Sequence, residues 1–153
     1  MNAEQRIKSL GMQLPTGSGP AGNYATTVQS GNLLFVSGKA PLPVDGLPPR
    51  GRIGSDYSTE QGRELARSAC MDLLATIRHA LGSLDRVQRV VELHGAICTV
   101  ADFEDHAKVL DGASDLLVEV FGETGLHTRS VIGVLSLRGG VPLTLRATVE
   151  LMN

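Results

Sequence analysis

Tryptophan is absent from the 153 residues and only 3% are aromatic, which leaves few platforms on which nucleic-acid bases could stack. A dominant charge is lacking too. Fourteen Lys and Arg stand against sixteen Asp and Glu, for a formal charge of -2, so nothing pulls the chain toward a phosphate backbone. No apolar run approaches the roughly 20 residues that span a bilayer, and the opening MNAEQRIKSLGMQLPTG lacks the apolar stretch of a secretion signal. Neither nucleic acid nor a membrane is an expected partner, and the cytoplasm is the expected compartment. Cys70 and Cys98 form no C-x-x-C pair and read as reduced thiols buried as small apolar residues. His79, His94, His106 and His127 show no metal-ligand spacing, so no metal and no other cofactor is expected.

What is present is the composition of a folded domain, with 42% hydrophobic and 20% charged residues. The length suits one domain, residues 1–153, which buries roughly 70% of the surface its unfolded chain would expose. Residues 1–22 read as an irregular lead-in, within which Ala3–Leu10 has enough helix formers for two turns before Gly11. Tyr24–Ser30 and Leu33–Ser37 flank Gly31-Asn32 and predict a hairpin. Ala40 to Gly54 is a Pro- and Gly-rich loop.

A helix follows, capped by Asp56, Ser58 or Thr59 and ended by Gly82. Its apolar stripe is Ala66, Ala69, Cys70, Leu73, Ile77, Ala80 and Leu81. Val87–Val100 is β-branched and reads as a long central strand. Ala101-Asp102 then opens a second helix, with Val109, Ala113, Leu116, Val120 and Phe121 inward and Gly122 as its stop. Arg129–Leu137 is a strand apolar on both faces. Leu143–Leu151 alternates strictly, with Thr144, Arg146, Thr148 and Glu150 opposite the apolar set. The order β-β-α-β-α-β-β predicts an α+β domain with both helices on one face of a mixed sheet. A strand apolar on both sides prefers burial on both, so the second face is expected to meet another subunit, with pockets at the seam.

Two blocks carry a resemblance. GNYATTVQSGNLLFVSGKAPL, Gly22 to Leu42, and HTRSVIGVLSLRGGVPLTLRATVEL, His127 to Leu151, resemble the N- and C-terminal signatures of the RidA family, also called the YjgF or L-PSP family. ADFEDHAKVLDGASDLLVEVFGE between them is similar to that family's longer variant branch. The resemblance implies a chorismate-mutase-like fold and a homotrimer with clefts between subunits. It also implies hydrolysis of small 2-imino acids such as 2-iminobutanoate to 2-keto acids and ammonia.

The resemblance makes Arg129 the clamp for the substrate carboxylate, a role that suits a planar, permanently charged fork. Ser130 beside it, Tyr24, and Gly38 in VSGK match other cleft positions, and Asp111 matches a polar position of the second helix. Where active deaminases carry a glutamate on the last strand, this chain has Thr144, whose hydroxyl can hold a water but is no base near neutral pH. Glu123, in the loop before Arg129, is the acid proposed in its place, since Glu150 is about 20 Å along the strand from Thr144. Arg146 adds a second cation on the face of Thr144. The position of the family's reactive cysteine is held by Val131. Three functions compete: a 2-imino acid deaminase, a non-catalytic binder of small carboxylates, and an endoribonuclease or translation inhibitor. The charge balance and scarce aromatics weigh against the third.

Overall fold

The computed structural model describes residues 1–153. Asn2 caps the first helix, α1 (Ala3–Ser9), through a reciprocal pair: its side chain accepts from the Gln5 N–H, and the Gln5 side chain accepts from the Asn2 N–H. Ala3 and Ile7 of this helix enter the core. The two-turn expectation thus describes residues 3–9 better than an irregular lead-in, and this short helix joins the two longer ones expected.

Strands β1 (Thr27–Ser30) and β2 (Leu33–Lys39) form the expected hairpin. Its two-residue turn needs the positive φ of Gly31, +62°. Tyr24, Ala25 and Thr26 precede the strand rather than belong to it. Helix α2 (Thr59–Leu81) starts at a Ser58–Gln61 capping box and stops at Gly82 in the left-handed conformation. Ala80 lies outside its buried stripe, whereas Asp72 and Thr76 lie inside. The reason is the lead-in, which crosses α2 there: Ser18 donates from N and Oγ to the Asp72 carboxylate at 2.9 and 2.6 Å. The ammonium of Lys39, 2% exposed, donates to Ser18 O and Oγ at 3.0 and 3.1 Å, which ties the end of β2 to the same point.

Strand β3 (Val87–Cys98) is interior to the sheet. Helix α3 (His106–Phe121) begins four residues later than expected. Residues 101–105 are instead a turn closed by the Phe103 N–H on Val100 O, with the Phe103 ring edge-on to His106 at 5.1 Å. Strand β4 (Thr128–Val134) ends three residues early because Cys98, its last partner on β3, lies opposite Val134. Strand β5 (Leu143–Leu151) matches its predicted span.

The sheet order is β1-β2-β5-β3-β4, antiparallel except for the parallel β3/β4 pair. Leu143, Leu145, Ala147, Val149 and Leu151 of β5 face the helices together with Leu34, Val36, Leu93 and Ile97. Helices α2 and α3 cross closely at Gly112, where a Cβ would collide with the Arg63 carbonyl oxygen. The opposite face of the sheet carries no helix. No helix of the chain is long and apolar enough to cross a membrane.

Candidate functional site

Strand periodicity sorts the chemistry onto two sides of the sheet. Residues 144, 146, 148 and 150 of β5 point away from the core, and strand pairing fixes their neighbours. Ala96 lies opposite Thr144 and Ile132, His94 opposite Arg146 and Ser130, and Glu92 opposite Thr148 and Thr128. Between β2 and β5 the register shifts after Val36, so Ser37 and Gly38 form an irregularity beside Leu145 and Arg146.

These rows enclose a hollow of about 250 Å³ on the helix-free face, lined by Gly38, His94, Ala96, Ser130, Thr144 and Arg146 among others. Four residues expected from the sequence therefore meet: Gly38, Ser130, Thr144 and Arg146. Arg146 is exposed and has no carboxylate within 4.0 Å. A Cβ on Gly38 would stand 3.9 Å from the Leu145 carbonyl, so the chain itself does not demand glycine there.

The other four lie elsewhere. Arg129 pairs with Leu93 of the core face, so its side chain passes to the helix side of the sheet. There Nη1 donates to Asp111 Oδ1 at 2.7 Å and Ser114 Oγ at 3.0 Å, and Nη2 donates to the Ala107 carbonyl at 3.2 Å. Arg129, expected as the carboxylate clamp, thus lies outside the hollow of the single chain, and Asp111, expected in the site, is its ion-pair partner on α3. Tyr24 stands at the edge of the molecule, its hydroxyl accepting from the Ala21 N–H at 2.9 Å. Glu123 is exposed in the 3-10 turn Gly122–Gly125 after α3 and does not line the hollow of its own chain. A larger hollow, about 660 Å³, lies at the ends of β3 and β4 beside Arg52, Phe103 and His106 and holds none of the expected residues.

The sequence reading missed His94 and Glu92. His94 Nδ1 is 2.6 Å from Ser130 Oγ, and its Nε2 is 3.0 Å from Glu92 Oε2. Thr148 Oγ1 donates to the other Glu92 oxygen at 3.0 Å. The His94 hydrogen bond and then that of Thr148 hold the Glu92 carboxyl below its ordinary value; slight burial opposes them, and the charges of His94 and Arg146 assist. One signal was in the sequence. Glu92 and His94 are two apart on a strand, hence on one face. What linked them to Ser130 was the parallel register, which no local pattern contains.

Comparisons with known proteins agree with one another. A family model described as "YjgF/chorismate mutase-like, putative endoribonuclease" matches residues 4–144. Protein TCP17 of Trypanosoma cruzi is 38% identical over 148 residues, covering 96% of this chain and 92% of that one. The crystal structure of Atu1372, a protein of unknown function from Agrobacterium tumefaciens, superposes with a TM-score of 0.88 at 34% identity, over 98% of this chain and 92% of the other. E. coli TdcF with bound serine shares the fold at 22% identity, with a TM-score of 0.62 over 90% of this chain and 94% of its own.

Proposed function

Because the chain belongs to the YjgF/chorismate mutase-like family, that of RidA, we propose that it binds small 2-imino and 2-keto carboxylates in clefts between identical subunits and hydrolyses the imino acids to keto acids and ammonia. The observation that carries this reading is the hollow on the helix-free face, where the guanidinium of Arg146 stands without an acid partner beside the hydroxyls of Thr144 and Ser130. A carboxylate there gains a bidentate, charge-assisted contact. Placement on Arg146 leaves the imine carbon over Thr144 and Ser130, which hold the attacking water. A small ligand bound to a relative, serine in TdcF, supports a ligand of this size. In the homotrimer of this reading, a neighbouring copy covers the open face and makes a shallow hollow a cleft.

Arg129 remains the competing anchor, at the β4 edge, where Asp111 already takes one of its nitrogens. The test generates 2-iminobutanoate in situ and follows 2-ketobutyrate release. The expected result is acceleration by the wild type and a raised KM in Arg146→Ala. No acceleration would remove deamination. Loss in Arg129→Ala with Arg146→Ala unaffected would move the carboxylate site to the β4 edge. Thr144 in the glutamate's position favours a second reading, binding without chemistry. Saturable binding of 2-ketobutyrate by a protein that gives no turnover selects it.

A further inference from the structure

The proposed deamination is assisted by a base; the Thr144 hydroxyl is not one near neutral pH, and Glu123 does not line the hollow of its own chain. The row beside Thr144 does. Ser130, His94 and Glu92 are joined end to end on the face of the hollow, at 2.6 Å and 3.0 Å, and His94 and Ser130 line the hollow itself. The direction of the hydrogen bonds follows from charge. Glu92 is held ionised and can only accept, so the neutral imidazole carries its proton on Nε2, toward Glu92. The lone pair of Nδ1 then faces Ser130, which donates its hydroxyl hydrogen to it. An imidazole oriented by a carboxylate on one side and a hydroxyl on the other is the arrangement that activates an oxygen nucleophile.

We infer that Glu92, His94 and Ser130 form the proton relay of this site, with His94 as general base through Ser130 and Glu92 as the residue that orients the ring. The inference rests on the deaminase reading. Water held on Ser130 attacks the carbon of the protonated imine. The new C–O bond forms as the C=N π pair moves to nitrogen. The water proton passes to Ser130 Oγ while the Ser130 proton passes to His94 Nδ1. The imidazolium, faced by the carboxylate of Glu92, returns a proton by the same path to the amino group of the carbinolamine. The C–N bond then breaks, the hydroxyl oxygen pair closes the carbonyl, and the released ammonia takes the hydroxyl proton to leave as ammonium. Ser130 and His94 are catalytic residues, whereas Glu92 is a positioning residue. The charged groups facing His94 are Glu92 from its own strand and Arg146 from β5; from β4 it meets the uncharged Ser130.

The test is the pH profile of kcat for 2-iminobutanoate hydrolysis in wild type, His94→Gln, Glu92→Gln and Ser130→Ala. His94→Gln is expected to lower kcat about 10²-fold, the scale of lost general-base assistance, with KM little changed and the acid limb of the profile gone. Glu92→Gln is expected to move the acid limb to lower pH, because the charged imidazole loses its partner carboxylate. Ser130→Ala is expected to lower kcat without moving that limb. An imidazole NMR titration of the same proteins reads the Glu92 effect on His94 independently of activity and verifies folding. An active wild type whose profile is unchanged in His94→Gln overturns the relay and leaves the deaminase reading standing. An inactive wild type overturns both.

Discussion

Single side chains in this molecule are governed by their partners more than by their type. Cys70 is buried with its thiol against the Ala113 carbonyl, and burial pushes its pKa up to about 12 despite the nearby charge of Arg67. Both cysteines are free and buried. Glu4 behaves oppositely. Burial works against its charge, but hydrogen bonds from Arg78 and the Leu84 N–H, with the charge of Arg78, hold its carboxyl below the ordinary value of 4.5. A carboxyl depressed by folding contributes stability above the unfolded pKa and loses it as pH falls through the folded one. Glu4→Gln should therefore lower Tm at pH 7, and the gap to wild type should narrow below pH 4.5 in thermal melts. A gap independent of pH would mean that Glu4 acts through packing alone.

Secondary-structure elements carry a second lesson. Helix α2 and strand β5 were legible because local signals agreed, an apolar stripe between cap candidates and a terminal glycine in one case and strict alternation in the other. The start of α3 was misread: Asp102 looks like a cap, yet the Phe103–His106 contact and the turn onto Val100 occupy residues 101–105. The helix begins at His106, after Asp105, which makes no side-chain capping bond. The crossing of α2 and α3 also depends on an atom that is missing. Gly112→Ala would set a methyl against the Arg63 carbonyl of a neighbouring helix and force the pair apart. Overpacking of this kind costs about 1–3 kcal/mol, measurable as a lower urea midpoint. A midpoint equal to wild type would show that the helices separate freely.

At the scale of the whole molecule, the helix-free face is the surface on which assembly turns. Phe35 and Val28 at one side and Ile132 at the other lie 43%, 55% and 59% exposed, with the polar rows of β3 and β5 between them. Apolar side chains flanking the hollow suit an interface. In the homotrimer reading, Ile132→Glu should shift the light-scattering mass from three chains to one and lower deaminase activity with it. A wild-type protein that runs as a monomer at micromolar concentration would remove the inter-subunit cleft.

Local patterning by itself determined the element types, the inward face of β5 and the family signatures, because each is set by residues within a few positions of one another. Tertiary structure alone decided which face of β4 each of two adjacent residues serves. Arg129 goes to Asp111 on α3, and Ser130 goes to His94. A strand sends neighbouring side chains to opposite sides. Which side is the hollow and which the core depends on a parallel pairing between segments more than thirty residues apart, and only the folded chain contains that register.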